Sequence, residues 1–321
     1  MGSAAVRPPG PAKVFQSVHT DTETRPRNER TQPALERRRR QLRGLVTRTG
    51  LAVLPRLGLD VRRLGPGAVV MTRGTPGPKA WMKQEKEFFE YLSGIQLGAL
   101  LRMYRVNCVI DVGAHRGQYA LGLREAGYDG QIVSFEPVPH AFERLQRAAA
   151  GDPRWAVHPL ALGREDGETT MNVVPGTLSS LLPATEFGAG RYPRLQNAEA
   201  VTVQVRRLDG LLDDLVAGVP DPRPYLKMDT QGFDLDVFAG AGERAADFVG
   251  MQSEVALMRI YEGTPRMCEA LEVYEEAGFE IAALYPLSRQ SRTARVLEYD
   301  CVMVRASALR RGPAKPSADR A

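Results

Sequence analysis

The chain has 321 residues and a net charge of +5, from 43 Lys and Arg against 38 Asp and Glu. That length suits one sizeable α/β domain with an extension, and no apolar run reaches the ~18–20 residues a membrane-crossing helix requires, so a soluble protein is expected. The charge is unevenly spread: residues 1–50 carry +7 and the remainder −2, which places the basicity in a leading segment and argues against a nucleic-acid partner.

In chain order, residues 1–35 are rich in Pro, Arg, Thr and Glu, have little apolar surface to bury, and read as a disordered basic tail. Met1-Gly2-Ser3-Ala4-Ala5 lacks the apolar stretch of a secretory leader, and Cys108, Cys268 and Cys301 are too widely spaced to clip a metal. Free thiols and a cytoplasmic location are therefore expected. Residues 36–105 form a predicted helical extension. Arg37-Arg38-Arg39-Arg40 precedes Leu42, Leu45 and Val46, a basic amphipathic pattern suited to a solvated arm or to peripheral contact with an anionic membrane. After a Gly/Pro-rich segment over 65–78, the spacing of Phe88, Tyr91, Leu92, Ile95 and Leu100 predicts a helix over 82–104.

From 106 to 306, short β-rich apolar runs alternate with helical segments, the pattern of βαβ units. The predicted class is α/β, a seven-stranded mostly parallel sheet with helices on both faces. Its strands are 107–112, 131–136, 155–161, 224–229, 249–255, 280–285 and 296–304, and helices fall at 117–126, 139–149, 208–217, 233–246 and 265–277. The last two strands lack a helix between them, which predicts an antiparallel hairpin at the sheet edge. Segments 169–174 and 201–206 form an expected accessory hairpin over the site, and residues 307–321 read as a disordered tail.

In an open α/β sheet a ligand sits beyond the carboxyl ends of the strands. Val109-Ile110-Asp111-Val112 runs into Gly113-Ala114-His115-Arg116-Gly117, and a helix follows from Gln118-Tyr119. The G-x-x-x-G spacing departs from G-x-G-x-x-G, whose glycines and helix N-terminus cradle a pyrophosphate. A ligand without phosphates is expected, and a nicotinamide oxidoreductase is disfavoured. S-adenosylmethionine is such a ligand: Asp111 is placed to receive its ammonium group, directly or through water, and the loop amides to meet its carboxylate. Glu136, roughly 20 positions beyond the loop at the end of the second strand, suits both ribose hydroxyls. Ala161 and Leu162, after the third strand, are placed to pass the adenine.

These motifs resemble the FkbM family of methyltransferases, over residues 106–305. They occur in order: Asp111-Val112-Gly113-Ala114-His115-Arg116-Gly117-Gln118-Tyr119, Phe135-Glu136-Pro137, Ala161-Leu162-Gly163 with Asp166-Gly167-Glu168, Ser179-Ser180-Leu181, Arg207-Leu208-Asp209, and Leu226-Lys227-Met228-Asp229-Thr230-Gln231-Gly232. The resemblance implies a class I methyltransferase (Rossmann-like) fold with an antiparallel last strand. It also implies O-methylation of a sugar or of a glycosylated or polyketide-type natural product. Candidate donor contacts along the motifs are Gly113, His115, Gly117, Tyr119, Glu136 and Pro137; candidate acceptor contacts are Ser179, Ser180 and Gln231. The family more often has Asn at the position of His115 and Glu at that of Asp234.

Methyl transfer from a sulfonium is an in-line displacement, and a hydroxyl acceptor needs a base or a divalent cation to surrender its proton. Asp229, ending the fourth strand beside the first, is the leading candidate, with an N-cap role on the next helix as its alternative. Glu254, on an otherwise apolar strand, needs a partner. Either Lys227 neutralises it, or it joins Asp229 around a cation such as Mg2+. His115 is a further catalytic candidate, ahead of His140, and Tyr192, Tyr261 and Tyr285 are aromatic enough to stack on a sugar face. The competing functions are a non-catalytic scaffold of the same fold, against which the intact loop and Glu136 speak, and a methyltransferase for a different acceptor class.

Overall fold

A computed structural model describes residues 59–65, 68–73 and 77–309. The predicted basic tail, the helix around residues 37–46 and most of the predicted C-terminal tail lie outside these residues. The chain divides into two units, 1–84 and 85–321. In the first, β1 (Leu59–Gly65) and β2 (Ala68–Arg73) pair antiparallel. The extension is therefore not wholly helical. Gly65-Pro66-Gly67 between two runs holding Val61, Val69 and Val70 is a hairpin signal that the expectation of a helical extension leaves out.

The long helix α1 (Pro78–Met103) leads into the second unit. There the chain runs β3 (Cys108–Val112), α2 (Gln118–Glu125), β4 (Gln131–Phe135), α3 (Pro139–Ala149) and β5 (Trp155–His158). An insertion follows: β6 (Ala161–Leu162), β7 (Gly167–Val173), α4 (Glu186–Arg191) and β8 (Glu199–Arg206). The chain then returns through α5 (Leu212–Leu215), β9 (Pro224–Met228), α6 (Asp234–Gly240), β10 (Gly250–Ala256), α7 (Met267–Glu276), β11 (Glu280–Arg289) and β12 (Val296–Val304).

Seven strands form one sheet in the order β11-β12-β10-β9-β3-β4-β5. All its pairings are parallel except those of β12, which runs antiparallel to β10 and β11. The expected edge hairpin is present, with the last strand as its inner member. Central strands are buried on both faces, and alternation divides them. Ile110, Val112, Leu226 and Met228 pack under Val237, Phe238 and Tyr274, while Val109 and Ile132 pack with Leu97, Leu123 and Leu145. Helix α3 shows how one face is chosen: Pro139 fits its first turn, and Ala141, Leu145 and Ala149 recur at helical spacing and are buried.

Three predicted elements are shorter than expected. The strand over 155–161 breaks at Pro159, which has no N–H for the ladder, and β6 joins a separate three-stranded sheet, β6-β8-β7. The helix over 208–217 reduces to α5, and that over 233–246 to α6 plus a 3-10 turn at Gly242–Asp247, split where Gly240 and Gly242 lower helix propensity. At the C-terminus, a 3-10 turn at Ala306–Ala308 is tied down by Arg223, whose Nη2 donates to the Ala308 carbonyl at 2.6 Å, so the predicted tail at 307 begins too early. Among the described residues no helix is long and apolar enough to cross a membrane.

From β3 the chain moves outward to β4 and β5, then crosses back to β9 on the other side of β3. Adjacent crossovers diverge at that reversal, leaving a crevice at the carboxyl ends of β3 and β9.

Candidate functional site

Gly113, directly after β3, has φ +78°, and the Gly113 and Ala114 amides both donate to the Phe135 carbonyl, at 3.0 and 2.9 Å. A Cβ at Gly113 would collide with the Asp229 carbonyl, so only glycine lets the loop pass the end of β9. His115 follows at φ +50°, and its amide donates to Glu136 Oε2 at 2.8 Å, while the Val138 amide donates to Oε1 at 2.8 Å. The Glu136 carboxylate thus braces the loop from the end of β4. It is 5% exposed, and burial pushes its pKa up to about 7 against the pull of the two amides.

Asp111 stands apart from this arrangement. It is fully buried beneath the loop, 3.1 Å from Lys227 Nζ, and accepts a hydrogen bond from Ser134 Oγ at 3.0 Å. Its charge is matched within the protein and it does not line the cavity, which corrects the expectation of a direct contact with a ligand's ammonium group. Lys227 also lies 3.3 Å from the Gly113 carbonyl, 3.6 Å from Asp229 Oδ2 and over the Tyr119 ring. Tyr119 is packed under the sheet with its hydroxyl on Gln252, 3.2 Å, and Gly117 is pressed against Trp155. Asp111, Gly117 and Tyr119 are therefore supports of the loop and do not line the cavity above it.

That cavity, about 740 Å³ with its open mouth, is lined by Gly113, His115, Glu136 and Pro137, by Ala161 and Leu162, and by Asp229 and Gln231 across the crevice. Ser179 reaches it from the insertion. Sequence reasoning missed Val138, Leu160, Met171 and Phe233, its apolar walls. His115 Nδ1 is buried without a protein partner, and burial, then the Arg116 charge, pushes the imidazole below its ordinary range. His140 lines the cavity as well.

The loop after β9 carries the acidic group at the mouth. Gln231 adopts φ +56°, which turns its side chain back so that Nε2 donates to Asp229 Oδ1 and Glu254 Oε2, both at 3.0 Å. Ser180 Oγ donates to the Gln231 carbonyl at 2.8 Å, and the Tyr261 hydroxyl lies 3.3 Å from Gln231 Oε1. Asp229 is not a helix cap, because α6 begins at Asp234 after Phe233. Lys227 neutralises Asp111 and not Glu254, so that expectation is corrected too. Burial, and next the Asp229 charge, push Glu254 well above the usual carboxylate range. Glu298 and Asp300 on β12 extend the group, both pushed by burial to about 7. Their signal was present in the sequence: two acids two residues apart in an otherwise apolar strand.

The donor set does not fit the expected Mg2+ site. Among the described residues no group of three or more His, Cys, Asp or Glu is placed to hold a metal ion, and the Gln231 side-chain amide occupies the space between Asp229 and Glu254. Of the tyrosines, Tyr261 reaches the site, whereas Tyr285 is engaged with Gln96 under α1.

Residues 111–281 match the profile of the Methyltransferase FkbM domain. Methyltransferase 1 of Beauveria bassiana is 23% identical over 192 residues, covering 56% of this chain and 74% of that protein. The 2-O-methyltransferase NoeI of Sinorhizobium fredii is 23% identical over 185 residues, with the same coverage, 56% and 74%. Among solved structures, magnesium protoporphyrin IX methyltransferase (ChlM) of Synechocystis, with S-adenosylmethionine bound, aligns with a TM-score of 0.39 at 12% identity, covering 83% of this chain and 96% of that one.

Proposed function

The chain belongs to the FkbM methyltransferase family and is a class I, S-adenosylmethionine-dependent methyltransferase, and from that premise we propose that it methylates a hydroxyl of a sugar or of a glycosylated or polyketide-type natural product. The similarity to NoeI, a 2-O-methyltransferase, supports oxygen as the acceptor atom. The observation that carries the reading is the Asp229 carboxylate, which lines the donor cavity and is joined through the Gln231 amide to a second carboxylate, Glu254.

The residues present fit a donor without phosphates: one braced carboxylate, apolar walls, and an orphaned imidazole nitrogen. Glu136 would accept from the ribose hydroxyls, while Leu162, Val138 and Phe233 supply flat apolar contact for the adenine. His115 Nδ1, buried and unpaired, would hydrogen-bond the amino-acid end. S-adenosylmethionine supplies a methyl group already made electrophilic by a sulfonium. The chain's own tasks are then alignment and proton removal. Asp229 takes the proton of the acceptor hydroxyl at the cavity mouth, with Gln231 orienting its carboxylate and Ser179 and Ser180 shaping the approach.

The test is transfer of labelled methyl from S-adenosylmethionine to a panel of methyl glycosides and glycosylated polyketides, with wild type and Asp229→Asn. The expected outcome is labelled ether in at least one class, and in the variant a loss of turnover of about 100-fold or more with donor binding retained. Wild-type turnover by Asp229→Asn would move the base elsewhere, and labelled product confined to amines would overturn the hydroxyl reading.

A further inference from the structure

The crevice is set by two loops, one after β3 and one after β9. Asp229 itself is fixed, its amide donating to the Val112 carbonyl at 3.1 Å. Beyond it, Thr230, Gln231 and Gly232 leave the strand through two positive-φ residues, Gln231 at +56° and Gly232 at +94°. A non-glycine residue in that region is strained and persists only where its surroundings over-determine it. The restraint comes from Asp234, which is 4% exposed. Its Oδ1 accepts from the Thr230 amide at 2.9 Å and from Thr230 Oγ1, and its Oδ2 accepts from Ser253 Oγ at 2.8 Å and from the Glu254 amide at 3.0 Å. One carboxylate therefore ties the loop after β9 to the end of β10. The two segments it joins are those that present Asp229 and Glu254.

We propose that Asp234 is a positioning residue for methyl transfer: through Thr230 and Glu254 it sets the separation of the Asp229 and Glu254 carboxylates that the Gln231 amide bridges. The proposal rests on the reading that the acceptor proton leaves through Asp229. Asparagine at 234 keeps the shape but turns one acceptor into an NH2 group facing either the Thr230 donors or those of Ser253 and Glu254. That donor-to-donor contact cannot be satisfied in a buried site. The loop then relaxes out of its strained conformation and the Gln231 bridge opens. Glutamate at 234 restores an acceptor-only group.

The experiment observes the bridge directly and needs no acceptor. In protein labelled with 15N at glutamine, the Gln231 side-chain NH2 resonance is assigned with Gln231→Ala and followed by NMR against pH, with S-adenosylhomocysteine affinity measured in parallel. In wild type the resonance is displaced from that of a solvated glutamine and moves with pH as Glu254 takes up its proton. Asp234→Asn is expected to collapse it to the solvated position and abolish its titration, with S-adenosylhomocysteine affinity within about threefold of wild type because Glu136 and Gly113 are untouched. Asp234→Glu is expected to restore the displacement and the titration. Thr230→Val and Ser253→Ala, each removing one donor, give partial shifts and decide the matter if Asp234→Asn does not fold. An unaltered Gln231 resonance and titration in Asp234→Asn, or in both single-donor variants, overturns the proposal. Full turnover by Asp229→Asn instead removes the reading beneath it, whatever Gln231 does.

Discussion

The two banks of the crevice hold their acids in different ways. On the β3–β4 side each carboxylate is fully engaged: Asp111 by Lys227 and Ser134, Glu136 by two main-chain amides. On the β9–β10–β12 side Glu254, Asp300 and Glu298 are held by neutral side-chain donors, Gln231, Gln252 at 2.7 Å and Ser288 at 3.2 Å, while Asp229 accepts from Gln231 and also lies 3.6 Å from Lys227 Nζ. Burial raises Glu254, Glu298 and Asp300 on this side as it raises Glu136 on the other, so the difference lies in Asp111, the one of these acids with a buried cation at 3.1 Å. On the proposed reading the first bank holds the donor loop and the second receives the acceptor proton.

The largest way to break this contrast is Lys227→Met. Lys227 is 5% exposed and is the counter-ion of a fully buried aspartate, so its loss leaves Asp111 as an unpaired charge beneath the donor loop. Removing one partner of a buried pair costs about 3–5 kcal/mol. Urea denaturation should show a loss of that size, accompanied by lost donor binding, since Gly113 also loses its contact with the ammonium. A loss below about 1 kcal/mol would mean that the donor bank does not depend on charge neutralisation.

Next in size is Glu136→Gln. The amide places an NH2 group against either the His115 or the Val138 N–H and presents a weaker acceptor to the ribose. Loss of a charged hydrogen-bond partner predicts a fall in S-adenosylmethionine affinity of about 10- to 100-fold by calorimetry. Unchanged affinity would remove the ribose assignment.

The pH dependence sharpens the comparison because the two measurements run in opposite directions. Glu136 and Glu298 rise from 4.5 to about 7 on folding and Asp300 from 3.8 to about 7. Between those limits the folded protein holds protons that the unfolded chain has released, so stability falls as pH rises through this window and levels off above it. Donor binding should instead strengthen as pH rises toward 7, because the ionised Glu136 is the better acceptor. Denaturation midpoints and donor affinity measured at pH 5, 6, 7 and 8 test both signs, and a parallel trend would refute the separation of roles.

Much of the donor bank was legible in the sequence, because its determinants are local. Gly113 and Gly117 mark a turn after a strand of apolar residues, and Glu136 ends the next strand; the positions follow from order and spacing alone. What the sequence could not convey is direction. Asp111 is the fourth residue of β3, with Lys227 beside it in the parallel register, and only that register shows the pair closing under the loop. The acid group on the other bank depends on β12 inserting between β10 and β11, which sets Asp300 opposite Glu254. That pairing is separated by 46 residues of sequence, and no local pattern encodes it. The β1–β2 hairpin is the reverse case: the Gly65-Pro66-Gly67 signal is local, yet it lies in a segment expected to be a helical extension.

The smallest effect is expected at Tyr261, where the contrast between the banks is most finely drawn. Its hydroxyl donates to the Leu178 carbonyl at 2.9 Å and lies 3.3 Å from Gln231 Oε1, so it steadies the face of the Gln231 amide turned away from the two carboxylates. Tyr261→Phe keeps the ring and both Nε2 hydrogen bonds of Gln231. One neutral hydrogen bond is worth about 1 kcal/mol, which corresponds to a fall in methyl-transfer rate of about fivefold. Donor affinity should not change, because the hydroxyl touches nothing on the β3–β4 side. A fall in donor affinity equal to the fall in rate would show that the two banks are mechanically one, with the Gln231 bridge setting the donor loop as well as the base.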